Sequence, residues 1–448
     1  MIVKEKEMLK KVLLGNAYTA IDQHQVKFLP KALIEIDNKG MIERVLVPED
    51  YDYQAAYQAA QQQHLLEVIP ADQIIFPGFV DLHVHAPQWP QAGLALDKPL
   101  AAWLNDYTFP LEAKYQNLDF ARQIYHELVH ELLAQGTTTV LFFGTIHPEA
   151  NLVLGEECLK QGLRSLIGRV AMDNPDQTPA YYRDANPKVA IMATETFIHQ
   201  LNDLGKGNSL APIPVITPRF VPSCTDEALA GLGKLAQKYD LPVQSHVSES
   251  NWEHQYAIDR FGIHDAAVLD HFGLLTSKTV LAHGTQLAEA DQALLRQHQT
   301  AIAHCSISNA YFGNGVLPVN DLLAAGNRVG LGTDISGGYS PSLYDNLRHA
   351  VALSQVRNDG ISRYDEGVEN SRISMITAFY LATIGGAQAL NLPVGEIQAG
   401  KVADLQVVKD RFDRPSETPQ DRFERLLYQT HRSEIVQVYT QGNQVYQA

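Results

Sequence analysis

The sequence predicts an α/β protein, a (β/α)8 TIM-like barrel carrying a small β-sandwich domain built from both termini. Three observations predict it. Between about residues 74 and 389, short apolar strands alternate with helical patterns, the rhythm of βα units around a parallel sheet. Eight strand segments fit that stretch, the number such a barrel requires. Both chain ends instead read as short strands separated by turns.

In chain order, residues 12–14, 32–36 and 42–47 are predicted strands, the last two joined by a turn at Asn38-Lys39-Gly40. A Gln/Ala-rich run over 54–63 reads as a solvated surface helix or loop. Barrel strands are predicted at 75–83, 138–143, 165–171, 214–218, 243–246, 280–283, 301–304 and 329–332. Beyond them, 404–408 and 435–439 read as strands, with a turn at Gly442-Asn443. The two ends are expected to pair in one domain, residues 1–73 with 390–448. Residues 74–389 are then the barrel inserted between them.

The 448 residues, 45% hydrophobic and 19% charged, have the balance of an ordinary globular chain. Length alone suggests about three domains, but barrel enzymes run long as one unit. No segment is apolar over the about 20 residues that span a bilayer. The charged start, residues 1–11, does not fit a secretory signal. The expected location is the cytoplasm. Cys158, Cys224 and Cys305 lie far apart and form no C-x-x-C pair, which argues against a disulfide framework and a cysteine zinc site. Their odd number fits a reducing compartment. A formal net charge of -16 opposes binding to a nucleic acid backbone, but not to a free neutral base or nucleoside.

The chemistry lies in what ends the predicted strands. The first closes on Asp81-Leu82-His83-Val84-His85 and the fifth on Ser245-His246-Val247-Ser248-Glu249. The sixth closes on Ala282-His283-Gly284 and the eighth on Gly332-Thr333-Asp334. Alternate strand residues share a face, so His83 and His85 can reach one metal. Active sites in such barrels sit at the C-terminal strand ends. A lone His at a strand end is more often a satisfied core or surface residue, and H-x-H alone is weak. The ordered set is far stronger than its parts. Nitrogen and oxygen donors suit zinc, with iron and manganese also compatible. The expected ligands are His83, His85, His246 and Asp334, with a water as the reactive ligand. Bound zinc lowers the pKa of such a water to about 7.

The run Pro77-Gly78-Phe79-Val80-Asp81-Leu82-His83-Val84-His85, with the later strand ends, resembles the amidohydrolase superfamily. The resemblance implies that His83, His85, His246 and Asp334 hold the metal and that His283 positions the attacking water. Members with two metals use a bridging Lys or carboxylate after strand four. Here Val215-Ile216-Thr217-Pro218-Arg219-Phe220 offers neither, so one zinc per chain is expected. The deaminase branch adds a Glu after the strand-five His, which maps onto Glu249. Deamination of an aminopurine needs a proton on the ring and then on the leaving amine, and a positioned carboxyl can shuttle it. The plain alternative for Glu249 is a surface acid on a βα loop. The expected catalytic residues are Glu249, His283 and Asp334.

Further stretches are similar to the guanine deaminase family over about residues 75–410. They are His85-Ala86-Pro87-Gln88, Trp103-Leu104-Asn105-Asp106-Tyr107-Thr108-Phe109-Pro110 followed by Glu112, Gly136-Thr137-Thr138-Thr139, and Thr217-Pro218-Arg219-Phe220. The resemblance implies hydrolysis of guanine to xanthine and ammonia, with Gln88, Arg219 and Phe220 at the purine, and a homodimer. An Arg fork suits a carbonyl acceptor, and such a site would disfavour adenine, whose C6 bears an amine. Trp89 and Trp103 either cover the flat ring or pack in the core, and His246 serves metal and substrate together. In this reading Asp334 or Glu249 takes the proton of the water, and His283 steadies the developing oxyanion. Ser250 stands where an Asn is familiar in the family and Ser306 where a Pro is common. Both bear on the pocket's fine shape, and neither is a metal ligand.

Three rivals remain. His126-Glu127-Leu128-Val129-His130 matches the H-E-x-x-H of zinc proteases. No H-x-x-G-x-x-H extension follows, and the segment reads as the helix after the first barrel strand. Another deaminase or chlorohydrolase of the superfamily, acting on a different aminated heterocycle, would share the metal set and differ at Gln88, Arg219 and 103–110. A non-catalytic scaffold of this fold would be expected to lose the ligands that this chain keeps. The cysteine-type cytidine deaminase site is excluded by the missing cysteine pair.

Overall fold

Eight strands, each hydrogen-bonded in parallel to the next in sequence, form the central sheet. They are β1 (Phe79–His85), β2 (Thr137–Phe143), β3 (Arg164–Ala171), β4 (Ile213–Pro218), β5 (Val243–Val247), β6 (Thr279–His283), β7 (Ala301–His304) and β8 (Arg328–Leu331). The sheet closes on itself just past β8. Val84 and Ile335 form a parallel bridge. Asp334 N–H donates to His83 O at 2.8 Å, and His85 N–H to Ile335 O at 2.8 Å. The computed structural model describes residues 9–412, 414 and 416–448, so residues 1–8 of the charged start lie outside the described residues.

Parallel strands covered on both faces are buried along their whole length and favour β-branched and aromatic residues, and β2, Thr-Thr-Thr-Val-Leu-Phe-Phe, is buried at every position. Helices Leu118–Ala134, Pro148–Gln161, Pro187–Leu204 and Asp226–Tyr239 follow β1 to β4 in turn. Three start on a side-chain cap. Asn117 accepts from Asp119 and Phe120 N–H, Asn186 from Val189 N–H, and Thr225 from Ala228 N–H. These starts lie on the side to which the strands deliver their C-terminal residues.

The strand expected over 75–83 is in fact two. Gln73–Pro77 belongs to the sheet of the chain ends, and β1 begins at Phe79. Pro77 has no N–H to continue a ladder. Gly78 N–H donates to Asp404 O at 2.8 Å, and a Cβ on Gly78 would lie 2.3 Å from Thr138 Oγ1. The chain crosses between sheets at the one residue small enough to pass. β1 extends to His85, two residues beyond the expected end, where it pairs with Ile335.

The chain ends share one continuous sheet. Its order is Asn443–Gln447, Ile435–Thr440, Leu405–Lys409, Gln73–Pro77, Leu9–Ala20, Val26–Asp37, Ile42–Leu46, with Leu66–Val68 also paired to Leu9–Ala20. The segments predicted at 12–14 and 32–36 are the middles of two 12-residue strands. The sheet curls so that Ile34, Ile36 and Ile42 from one end share a core with Leu405, Val407 and Tyr439 from the other. The sandwich packing thus comes from one sheet folded across itself. The Gln/Ala run is the helix Tyr53–Gln62, whose Ala56 and Ala60 pack on Val12 and Leu33. An aromatic contact joins sheet and barrel, with ring centres 5.8 Å apart for Phe76–Phe379. No helix among the described residues is long and apolar enough to cross a membrane.

On β3, buried Arg169 pairs with buried Asp184, Nη1 to Oδ2 at 3.0 Å, and its Nε donates to Ile146 O at 3.1 Å. Asp184→Ala leaves that guanidinium unpaired in the interior. The expected loss is ~3–5 kcal/mol, measured as a fall in the urea unfolding midpoint.

Candidate active site and metal centre

The strand ends predicted to carry ligands meet at one mouth. β1 brings His83 and His85, β5 brings His246, β6 brings His283, and the turn after β8 brings Asp334, all buried. Asp334 Oδ1 lies 3.2 Å from His83 Nε2 and 3.5 Å from His85 Nε2. His85 Nε2 and His246 Nε2 face each other at 3.0 Å. Ligand-capable atoms of His83, His246 and His283 form one compact group, and those of His83, His85 and Asp334 another. Ser248, His283 and Asp334 adopt positive φ values of 47°, 76° and 52°. Such backbone costs about 1–3 kcal/mol per residue, and here three such residues lie just at or beyond the strand ends that aim the donors.

The donor set fits a metal ion. His246 Nδ1 donates to Arg219 O at 2.6 Å, which leaves the Nε2 lone pair pointing into the cluster. His83 Nε2 is buried with no hydrogen-bond partner, a cost that a ligated cation removes. Burial pushes His83, His85 and His246 well below the ordinary imidazole range, so the rings are neutral, the form that ligates. Three imidazoles and a carboxylate suit zinc.

Beside the cluster lies a pocket. Gln88, Arg219, Phe220, Trp103, His246 and Glu249, all among the expected site residues, line it. Glu249 is held by Asn314 Nδ2, which donates to its Oε1 at 3.3 Å, and its Oε2 lies 3.7 Å from His283 Nε2. Burial, and then the Asp334 charge, raise the Glu249 carboxyl well above its usual range, while Arg219 opposes the shift. It is a buried acid of the pocket rather than a surface acid of a loop. His283 Nδ1 bonds Asn309 Oδ1 at 2.8 Å, so Nδ1 carries the proton and Nε2 accepts. That tautomer suits holding a water, whereas steadying an oxyanion would need a proton on Nε2.

Trp89 parts from its neighbour. On the tight turn Ala86–Gln91 successive side chains diverge. Gln88 turns into the cavity, while Trp89 is half-buried against the main hydrophobic core and does not line it. Trp103 stands on a helical segment that runs Leu100–Trp103, widens through a π turn at Leu104–Thr108, and ends as Phe109–Glu112. Its ring meets Phe312 at 5.4 Å, and both line the cavity.

Sequence reasoning missed Trp252, Glu253 and Phe312, which also line the cavity, and the role of Glu112. Glu112 pairs through both oxygens with Arg219, at 2.7 and 3.2 Å. Its position, two residues past the 103–110 stretch, was the only available signal. His126-Glu127-Leu128-Val129-His130 lies in helix Leu118–Ala134 with Leu128 and Val129 buried. His126 bonds Glu157 at 3.0 Å, and neither His126 nor His130 is in a metal-capable group among the described residues.

The Amidohydrolase family model matches residues 74–445. The chain belongs to the amidohydrolase family. This amidohydrolase is 34% identical over 455 residues to guanine deaminase of Dictyostelium discoideum, covering 97% of this chain and 98% of that one. It is 35% identical over 390 residues to guanine deaminase of Homo sapiens, covering 83% of each. The solved structure of guanine deaminase from C. acetobutylicum with bound guanine in the active site matches with a TM-score of 0.88 at 32% identity, covering 97% of this chain and 100% of that one.

Gly332 tests how closely this amidohydrolase packs its ligands. A Cβ there would sit 2.7 Å from His83 Cβ. Gly332→Ala is expected to displace His83 and weaken metal binding by about 10–100-fold, the range seen when ligand support is lost. Competition with a chromogenic chelator reads the change.

Proposed function

We propose that this amidohydrolase hydrolyses guanine to xanthine and ammonia, with one zinc per chain held by His83, His85, His246 and Asp334. The observation that carries the reading is a single pocket lined by Glu249 and metal-capable His and Asp groups together with Arg219 and Gln88. The guanine deaminase relatives support it, and so does the absence of Lys or acid at the end of β4, Val215-Ile216-Thr217-Pro218. A chlorohydrolase or another deaminase shares the metal set, and the buried Arg219 fork favours among their substrates those that carry a ring carbonyl.

Zinc bound there would act as a Lewis acid, bringing the pKa of a water to about 7. The side chains do the rest. Glu249 carries one proton of the water to a ring nitrogen, and the second, from the new C2 hydroxyl, passes to the amine as the C2–N bond breaks and ammonia leaves. His283 Nε2 accepts a hydrogen bond from the water and sets its approach. Arg219 and Gln88 hold the purine by its acceptors, and Phe220 and Trp103 exclude solvent. Trp89 stays in the proposal only as a support for the turn that carries Gln88. The reading includes residues 74–389 as the catalytic unit, a homodimer and a cytoplasmic location, all supported by family resemblance or composition.

Ammonia release is measured from guanine, adenine, cytosine and S-adenosylhomocysteine, with metal content on the same batch. Turnover of guanine alone, with about one zinc per chain, is expected. A metal-loaded protein inert to guanine but active on another of these amines would reassign Arg219 and Gln88. Glu249→Gln is expected to lower kcat by at least 10²–10⁴-fold, roughly the share of a positioned acid-base group, with zinc retained. An active variant rules out the proton shuttle. Chelation should abolish turnover, and added zinc should restore it.

A further inference from the structure

We propose that Glu112 sets the substrate selectivity of this pocket, by holding Arg219 and Gln88 so that they present only hydrogen-bond donors to a ring carbonyl. The inference rests on the guanine reading above and deepens it.

Glu112 is fully buried at the end of the helical segment over the mouth. Its Oε2 accepts from Arg219 Nη1 at 2.7 Å. Its Oε1 accepts from Arg219 Nη2 at 3.2 Å and from Gln88 Nε2 at 2.9 Å. One carboxylate therefore binds both side chains expected at the purine. Glu112 is not itself among the residues lining the cavity, so it acts through them as a positioning residue.

The chemistry of the three groups settles their orientation. A carboxylate only accepts, so Gln88 must turn its amide nitrogen toward Glu112. Ser336 N–H, at 3.4 Å from Gln88 Oε1, engages the other end of the amide and agrees with that choice. Each Arg219 Nη spends one hydrogen on Glu112 and keeps one. The Arg219 guanidinium also rests over the Phe109 ring at 5.1 Å. Burial works against the Arg219 charge, and Glu112 more than offsets it, so the donors stay protonated. The clamp leaves N–H of Arg219 and the second N–H of Gln88 for a ligand, with Gln88 Oε1 turned to Ser336. Such an edge matches a carbonyl oxygen and rejects an amine in its place, because buried donors facing donors go unpaired.

The experiment compares kcat/KM for guanine and for 2-aminopurine, which has the same C2 amine and no oxygen at C6. Where 2-aminopurine is not turned over, its Ki as a competitor is read instead. Glu112→Gln keeps the volume but can donate, which frees Gln88 to turn over. The guanine preference should fall at least about tenfold, a modest part of the discrimination a polar site can supply. The loss should appear chiefly in the KM for guanine, with zinc content unchanged. Glu112→Asp keeps the charge beside Arg219 and withdraws the carboxylate from Gln88 by one methylene, and serves if Glu112→Gln does not fold. It should also lower the preference. Parallel losses on both purines, or an unchanged ratio in the folded variant, overturn the proposal while leaving the guanine reading intact. Wild-type protein that holds zinc and turns over no guanine overturns both.

Discussion

The seam where the barrel closes carries the site. Asp81, buried on β1, accepts from Thr333 N–H at 3.0 Å, Thr333 Oγ1 at 2.6 Å and His83 N–H at 3.1 Å. One carboxylate thus stitches the first strand to the turn after the last. The bond from Asp334 N–H to His83 O completes the join and places these two metal-capable residues side by side. Had the sheet stayed open, β1 and β8 would lie at opposite edges and no common site would exist. In a closed parallel barrel every C-terminal strand end faces the same mouth, so donors from β5 and β6 arrive there too.

Arg219 links the two halves of the site. Its carbonyl oxygen sets the tautomer of His246, and its guanidinium is clamped by Glu112. On the proposed reading, a shift of this one residue disturbs metal ligation and substrate recognition together. Groups held this way lose little freedom when a substrate arrives, the preorganisation on which electrostatic catalysis depends. The strained backbone at Ser248, His283 and Asp334 belongs to the same economy, since closure and packing hold conformations that an isolated strand end would relax.

Among the described residues, the sheet of the chain ends contributes none to the cavity. It steadies the barrel from the side, through the Phe76–Phe379 contact and through Arg164, whose Nε donates to Asp404 Oδ2 at 3.1 Å. The outer helices likewise cover the strands. The pairing of His126 with Glu157 shows how an outward-facing motif is satisfied by a neighbouring helix.

The sequence by itself determined the barrel, the order of the donors and most of the pocket. Strand ends in a parallel barrel converge whatever the loops do, so His83-x-His85, His246, Glu249, His283 and Asp334 could be read as one group. Only the tertiary structure decided the rest. The division at Pro77-Gly78 depended on which sheet offered partners, and Asp404 in the distant C-terminal segment supplied one. Gln88 and Trp89 are adjacent, yet the turn sends one to the cavity and the other to the core. Glu112 stands 107 residues from Arg219, and no local period or spacing connects them. Hydrophobic pattern and motif record the path of the backbone, whereas a contact between distant loops exists only once the intervening strands have packed.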